Sequence, residues 1–574
     1  MKQVKFIIIA FLLTQISFSQ KKDENIGTEV VNVVKPYTPT ISDAFKVKEM
    51  PTLDDEETTK KENIRYTIFS FPVASTFTPS KGKAANVDKS PGEKIFSNYL
   101  TLAAGNYGNI NADLFVIKNI SNTDYFGAML RHSSSQGGIK DVVLDDKFFN
   151  TALDLTYSSR TRKFNWNTDL GYKNQVYNWY GISPGVLDDA IIATIDERQN
   201  YHTFYLGGKL GLGESFLKES TIKFSRFWDA FGSAENRFVA KPVLEFEIFE
   251  QKIKTDFVLD YISGSFNKSF NTGTFFKYGY TNFGFQPSIK IHKDDLTVNA
   301  GFGFFYGAAQ ESGKSKFYIY PQVTSSYKIV GDLMILYAGL EGILKQNSYN
   351  DFVQENFFVS PTLAISPTNQ KYDIYVGLKG KLANSISYNI RGSYLNEENK
   401  ALFKSNGYNE STVNLEGYAY GNSFDVVYDN VKTISFFGEL KADFSKNVSF
   451  GINGTFSSYT NDIQEETWNL PAVKLGANLD VEITSKWYSG MSLYFVGERK
   501  DQFVRTSVSG FFPIENNTLK SYFDLNAHVG YKYSERMTFS LKGNNLANQN
   551  YQRWLNYPVQ GIQVLAGASY KFDF

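Results

Sequence analysis

The chain ends with GIQVLAGASYKFDF, residues 561–574, and this stretch decides the fold. Its apolar side chains occupy every second position: Ile562, Val564, Ala566, Ala568, Tyr570, Phe572 and Phe574. The positions between them are polar or small, except for Leu565. A period of two is typical of a β-strand with one apolar and one polar face.

The same alternation recurs from about residue 96 to the end, for example over 296–306, 372–382, 448–456 and 523–533. Short polar turns, such as 292–295 and 445–447, alternate with mostly longer connections, such as 179–199, 345–369 and 397–430. About ten turns and about eleven longer connections predict about 22 antiparallel strands, with 18 or 20 as alternatives.

Short turns on one rim and long loops on the other are typical of a transmembrane β-barrel. In lipid every backbone N–H and C=O must pair within the protein, so a sheet must close on itself. We therefore predict an all-β, antiparallel up-and-down barrel over residues 96–574, lying in outer-membrane lipid. The 50 Phe and 37 Tyr would supply its interfacial girdles. A soluble all-β protein, the alternative, leaves the loop asymmetry unexplained.

The first 95 residues differ from the rest. MKQVKFIIIAFLLTQISFSQ has a charged start and a short apolar run, which predicts a signal peptide over residues 1–20 and export of the mature chain. Residues 21–95 are rich in Pro, Ser, Thr and charge, and predict an extended periplasmic or lumen-occluding segment. Within it, a β-prone run could add as a strand to a periplasmic partner, or stay an unpaired linker: Glu29, Val30, Val31, Asn32, Val33 and Val34.

Composition argues against several function classes. Lys plus Arg and Asp plus Glu both number 59, so no basic surface suggests nucleic acid. The absence of Cys excludes disulfides, thiol nucleophiles and a lipoprotein anchor on this chain. AAQESGKS, residues 308–315, fits a permissive P-loop pattern but lies between two alternating strands, which predicts a hairpin loop.

Catalytic, cofactor and metal residues are not predicted, and we do not expect an enzyme. The four His are scattered, without metal-ligand spacing: His132, His202, His292 and His528. Charged residues on the polar faces could line a solute path or simply be solvated wall residues: Lys379, Lys381, Asp524 and Lys532.

The segment LKGNNLANQNYQRWLNYPVQGIQVLAGASYKFDF, residues 541–574, resembles the closing hairpin of TonB-dependent outer-membrane receptors. NLPAVKLGANLDVEI, residues 469–483, resembles the Pro-containing start of a late strand in that family. The aromatic end also resembles the insertion signal read by the barrel assembly machinery, which here would be Tyr570, Phe572 and Phe574. The matching features of the hairpin are Asn545-Leu546, Asn548, Tyr551, Tyr557-Pro558 and Gly561.

The resemblance implies binding or uptake of a solute, with TonB as the partner of the 29–34 run. Family members also carry a folded plug domain, for which residues 21–95 are too short. Because a barrel of about 22 strands is normally plugged, an occluder is expected: residues 21–95, inward-folded loops such as 397–430, or a partner protein. The alternative function is a non-transporting structural or assembly partner in an envelope complex, for instance with an outer-membrane lipoprotein.

Overall fold

The computed structural model describes residues 96–574, except 183, 186, 214, 249–250, 410–414 and 505–513. The predicted signal peptide, the segment 21–95 and the Glu29–Val34 run lie outside the described residues. The described residues contain 26 strands, β1–β26 in chain order, and 22 of them form one antiparallel sheet.

The first half of the sheet consists of β1 (Asn98–Gly105), β2 (Ile110–Asn119), β3 (Asp124–Ser135), β4 (Phe148–Arg160), β5 (Phe164–Asn178), β6 (Arg198–Leu212), β7 (Leu217–Asp229), β8 (Ala234–Ile248), β9 (Gln251–Phe266), β10 (Phe276–Lys293) and β11 (Leu296–Ala309). The second half consists of β12 (Ser315–Val330), β13 (Met334–Lys345), β14 (Thr368–Ala383), β15 (Ile386–Ser405), β16 (Phe424–Ser445), β17 (Val448–Asn461), β18 (Val473–Glu482), β19 (Trp487–Val496), β22 (Tyr522–Lys532), β23 (Met537–Asn544) and β26 (Gln563–Phe572).

The remaining elements lie in the connections between these strands. Two short hairpins are formed by β20 (Arg499–Val504) with β21 (Ile514–Leu519), and by β24 (Gln552–Trp554) with β25 (Tyr557–Pro558). The two α-helices are α1 (Asp189–Ile192) and α2 (Tyr349–Glu355). A 3-10 turn, Asn106–Gly108, joins β1 to β2.

The sheet closes into a barrel because β1 pairs with both β2 and the last strand, β26. Leu100, for example, lies opposite Leu114 on one side and Tyr570 on the other. Closure leaves no free edge in the sheet, as spanning lipid requires. The predicted 22 strands are confirmed over the described residues, and the alternatives of 18 and 20 are wrong.

The two rims differ as the sequence predicts. Ten connections at one rim contain two to four residues each, and eleven at the other contain four to 25. We call these the short-turn rim and the long-loop rim. The barrel starts and ends at the short-turn rim, where the backbone N–H of Ser97 donates to Asp573 Oδ1 at 2.8 Å.

The alternating faces point as predicted, with large apolar side chains outward. Phe302, Ile374 and Phe436 are about half exposed on the outer wall, where lipid would cover them. In β26 the outward Tyr570 is 42% exposed, whereas the intervening Leu565 faces inward and is 3% exposed. The wall is thus apolar outside and mostly polar inside, the arrangement of a membrane barrel.

Two predicted connections are shorter than expected. The loop predicted at 397–430 spans only 406–423, because β15 and β16 continue to Ser405 and from Phe424. Its flanking residues, such as Lys400 paired opposite Asp429, are charged, and the sequence alone favours a loop there. Strands of 20 and 22 residues extend beyond the length that crosses a bilayer, and the buried Asp429 is satisfied there by the backbone N–H groups of Asp462, Ile463 and Gln464. His292 likewise belongs to β10, and the turn that follows spans only 294–295.

Candidate functional site

The connection between β13 and β14, residues 346–367, folds into the barrel at the long-loop rim; we call it the lid loop. Helix α2 begins after Ser348, whose Oγ accepts the backbone N–H of Asp351 at 3.0 Å, a typical N-cap. It ends at Glu355, and the backbone N–H of Asn356 closes the last turn on the carbonyl of Phe352. Ser348, the helix's Tyr349 and most of the following segment are buried.

Six lid-loop side chains enter one hydrophobic cluster that fills the outer part of the lumen: Tyr349, Phe352, Val353, Val359, Leu363 and Ile365. The ring of Tyr349 lies edge-on to Phe227 and Phe266, with centroids 5.0 and 4.9 Å away. Burying an apolar side chain of this size contributes about 1.5–3 kcal/mol. The lid loop is therefore a packed part of the fold, although it is a connection between strands.

Other long loops pack over the lid loop. The ring of Tyr557, from the β23–β26 connection, stacks on Phe358 with centroids 3.7 Å apart. Trp554 packs on Phe403 and Phe424, at the ends of β15 and β16 that meet the long-loop rim. The outer mouth is thus closed by several loops, with the lid loop innermost.

Polar contacts between the barrel wall and α2 hold the lid loop in place. Glu235 Oε2 accepts the backbone N–H of Tyr349 at 2.7 Å and the hydroxyl of Tyr278 at 2.7 Å, and its Oε1 accepts the N–H of Asn350 at 3.3 Å. The hydroxyl of Tyr349 donates to Asp229 Oδ2 at 2.7 Å. Both carboxylates lie beside the short β7–β8 connection and are buried.

Arg237 completes this set from the same hairpin. It forms a bidentate pair with Asp260 on β9, at 2.9 and 2.7 Å, and its Nη1 donates to Asp351 of α2 at 2.9 Å. We call Asp229, Glu235 and Arg237 the latch. Hydrogen bonds to charged groups contribute about 1.5–3 kcal/mol each, so the latch contacts stabilise the packed position of the lid loop.

Burial shifts the pKa of several ionisable groups in the loops, Tyr349 and Asp501 among them. Burial and the neighbouring Asp229 raise the pKa of the Tyr349 phenol well above its ordinary value, so the phenol stays a hydrogen-bond donor. Asp501, on β20, is fully buried, and burial raises its pKa to about 6 despite hydrogen bonds from Asn469 and the N–H of Ser405. A carboxyl group with this pKa changes charge near neutral pH.

Beneath α2 lies a lumenal cavity of about 670 Å³, which we call the lumenal chamber. Asn350 and Gln354 of α2 contribute to its lining, and the wall is formed by β1–β7 and β23. A larger cavity of about 960 Å³ lies at the short-turn rim, lined by residues such as Lys446, Lys532 and Lys571. The described part of the bore therefore has polar cavities below a closed outer mouth.

The predicted polar-face residues are found in the bore. Lys379, Lys381 and Lys532 line separate lumenal cavities. Asp524 accepts a hydrogen bond from the Tyr551 hydroxyl at 3.2 Å. The structure places these residues on different parts of the wall, so they do not form one site.

The predicted terminal aromatics end the barrel at its short-turn rim. Tyr570 and Phe572 stack with centroids 6.2 Å apart, and Phe574 is 83% exposed. AAQESGKS spans the β11–β12 hairpin, as predicted, with the connection at residues 310–314.

The histidines are dispersed over several strands. His202 Nδ1 lies 2.8 Å from the hydroxyl of Tyr172, and His132 Nδ1 lies 2.8 Å from Thr151 Oγ1. Among the described residues, no three His, Asp or Glu side chains are grouped to hold a metal ion. Over the same part of the chain, no helix has the length and apolarity to cross a membrane.

Sequence analysis missed the latch and the chamber. Asp229 and Glu235 flank a four-residue connection, where charged residues usually mean only a solvated loop. One signal was available in the long loop itself: Ser348-Tyr-Asn-Asp351 before Phe352 and Val353 is an N-cap pattern in an otherwise strand-rich chain. That pattern indicates an ordered helix in the loop, though not where the helix packs.

No protein-family model matches the chain, and no curated protein matches its sequence. The fold defines a closed 22-strand barrel of the kind found in outer-membrane receptors, and solved structures share it. The FrpB iron transporter from Neisseria meningitidis superposes with a TM-score of 0.63 at 11% identity, covering 83% of this chain and 82% of that one. The siderophore receptor PirA from Acinetobacter baumannii gives 0.62 at 13% identity, covering 83% and 80%.

A third similar structure is the ferric-catecholate import receptor Fiu from E. coli K12, with a TM-score of 0.59 at 10% identity, covering 84% of this chain and 82% of that one. At these identities the likeness establishes the barrel fold. It extends over most of both chains, so the match is to the whole barrel.

Proposed function

We propose that this chain is a receptor-like outer-membrane barrel that binds a solute and admits it to the periplasm when the lid loop is released. The observation that carries the proposal is a wide, polar bore closed at its outer mouth by the chain's own loops. A 22-strand barrel is too wide to be filled by its wall side chains, so an occluder decides whether it conducts. Its solved structural neighbours, a siderophore receptor and an iron transporter among them, support uptake as the purpose of such a barrel.

The test is conductance of the purified protein in planar lipid bilayers. The unmodified chain is expected to be closed, and deletion of residues 349–365 with a short Gly-Ser replacement is expected to give steady ion currents. A matched variant replaces the exposed residues 271–275 of the β9–β10 connection in the same way. Currents that appear equally in both variants, or in neither, contradict the role of the lid loop.

Energised uptake would need a periplasmic partner. We propose that Glu29, Val30, Val31, Asn32, Val33 and Val34 add as a strand to TonB or to another periplasmic protein. Site-specific photo-crosslinking at Val31 in cells with and without TonB tests this contact. A crosslink that persists without TonB identifies another partner, and no crosslink at all removes the segment from the proposal.

We further propose that the barrel assembly machinery reads the C-terminal aromatics Tyr570, Phe572 and Phe574. Phe574→Ala is expected to lower the amount of heat-modifiable barrel in the outer membrane. Phe444→Ala, which truncates another strongly exposed aromatic at the same rim, is the control. Equal barrel yields from both variants contradict the proposal.

The alternative is a structural or assembly partner that transports nothing. The extent of the hydrophobic cluster under the outer mouth favours it, because a well-packed closure resists opening. A stable envelope complex recovered with the barrel, together with unchanged solute uptake in a deletion strain, would support this alternative over transport.

A further inference from the structure

The lumenal chamber below α2 carries more positive than negative charge. Four cationic and two anionic side chains line it, which gives a net charge of +2. They are Arg131, Lys173, Lys223, Lys542, Asp113 and Asp154. The whole chain has a net charge of zero, so the excess is local. Low-dielectric walls and one sign of charge concentrate counter-ions in a cleft.

The aspartates that line the chamber do not form ion pairs with Lys173 or Lys223. Asp154 is shared between Arg131, whose Nη2 lies 2.8 Å from Oδ2, and the Tyr205 hydroxyl, 2.5 Å from Oδ1. Lys223 lies over the ring of Tyr205, with Nζ 4.7 Å from its centroid, and Lys173 Nζ donates to the neutral amide of Gln354 at 2.6 Å. Among the described residues, neither lysine has a carboxylate within ion-pair distance, so each can still pair with an anion.

The charge excess distinguishes the chamber from the cavity at the short-turn rim. That larger cavity is lined by three lysines and three carboxylates, which balance: Lys446, Lys532, Lys571, Asp443, Asp480 and Glu482. A third lumenal cavity, of about 770 Å³, repeats the excess, with four lysines and two glutamates: Lys252, Lys254, Lys290, Lys379, Glu245 and Glu341. The charges therefore balance in the cavity at the short-turn rim, whereas the lumenal chamber and the third cavity are cationic.

We propose that the lumenal chamber binds a small solute that carries two or more oxyanion groups, carboxylate or phosphate, with Lys173, Lys223 and Lys542 as its charged contacts. A volume of about 670 Å³ lies within the range of small-molecule sites. Lysine pairs with oxyanions as a point charge on a flexible stem, so this set tolerates either group. This inference rests on the proposed function, for which it supplies the class of solute.

The test uses the mature full chain in a neutral detergent, titrated calorimetrically at about 20 mM salt, where screening is weak. The probes are citrate and pyrophosphate, with sucrose as a neutral control of similar size. Saturable binding of one or both anions, and none of sucrose, is expected. The affinities for citrate and for pyrophosphate, compared with each other, show whether the site prefers carboxylate or phosphate groups.

The decisive comparison uses two matched double variants. Lys173→Gln with Lys542→Gln is expected to weaken anion binding at least about tenfold, because two charge-assisted contacts are lost. Lys532→Gln with Lys571→Gln removes the same charge from the balanced cavity and is expected to leave affinity nearly unchanged. Heat-modifiable mobility on gels verifies that all variants fold.

Two results overturn the inference: no saturable heat with either anion, or a Lys173→Gln/Lys542→Gln variant that loses no more affinity than the Lys532→Gln/Lys571→Gln variant. The experiments distinguish failure of this inference from failure of the proposed function. If lid-loop variants conduct but no anion binds, the solute class is wrong and transport stands. If anions bind but the lid-loop variants stay closed, the chamber stands and transport is wrong.

Discussion

Truncating one buried carboxylate should open the outer mouth without removing any part of the lid loop. In Glu235→Ala, the N–H of Tyr349 and the hydroxyl of Tyr278 lose their 2.7 Å acceptor, and the N–H of Asn350 loses its 3.3 Å acceptor. Leaving a buried donor unsatisfied costs about 1–3 kcal/mol, so the two strong bonds give about 2–6 kcal/mol. Because about 1.4 kcal/mol is a factor of ten, the population with the lid loop released rises at least about 30-fold.

The geometry also predicts that two substitutions of Glu235 open the outer mouth to different extents. In Glu235→Gln, a single amide oxygen can keep both 2.7 Å contacts, since they fall on the same carboxylate oxygen. The Gln variant is therefore expected to open much less than the Ala variant. Glu245→Ala, on the same strand, serves as the control, because the one ion pair of this carboxylate within the described part of the chain is a 3.9 Å contact with Lys218.

Single-channel recording measures the open fraction of each variant, and heat-modifiable mobility on gels verifies folding. The expected order of open fraction is Glu235→Ala, then Glu235→Gln, then the Glu245→Ala control and the unmodified chain. The reasoning is refuted if a folded Glu235→Ala barrel stays as closed as the unmodified chain. It is also refuted if the Gln and Ala variants open equally, because the effect would then not follow the hydrogen bonds.

Three further predictions follow from other contacts. Tyr349→Phe removes the 2.7 Å bond to Asp229 and should cost about 1–3 kcal/mol, seen as faster proteolysis within the lid loop; unchanged cleavage would mean that this bond does not hold the loop. The pKa of Asp501 is about 6 in the fold against an ordinary 3.8, so Asp501 keeps its proton to higher pH when folded. Its contribution to the free energy of unfolding is therefore greatest below pH 3.8 and falls by at most about 3 kcal/mol as pH rises through 6. Thermal unfolding from pH 4 to 7 measures this fall, which Asp501→Asn should abolish; a variant with the same pH profile would assign the fall to other groups. Ile452→Arg, on the outer face, should lower the free energy of unfolding by about 2–4 kcal/mol in lipid vesicles, and the inward neighbour variant Asn453→Arg should lower it far less; equal losses would contradict the assignment of the faces.

The barrel could be predicted from the sequence because its signals are local and repeated. Alternation such as Leu296 to Tyr306 fixes which side chains face outward, and connection lengths fix the two rims. The limits of β15 and β16 could not be predicted, because a charged stretch such as Asn396 to Lys400 is equally suited to a loop and to a strand that extends into water. Only the pairing of Lys400 with Asp429 across the sheet decides between them.

The candidate site depends on contacts between residues far apart in the chain. Glu235 and Tyr349 are separated by 114 positions, and Lys173 and Gln354 by 181. Sequence alone suggested three occluders, and for the described residues the structure identifies an inward-folded loop at 346–367, with α2 as its anchor.

By itself, the sequence determined that this chain forms a closed antiparallel barrel, since a period of two and short turns specify strands that must pair with their neighbours. The tertiary structure alone decided what closes the outer mouth and where the lumen becomes cationic. The physical reason is that alternation along a strand determines the face on which each side chain lies. The latch and the chamber, in contrast, depend on which residues of distant strands and loops come together across the bore. That depends on how 22 strands and their loops fit together in space.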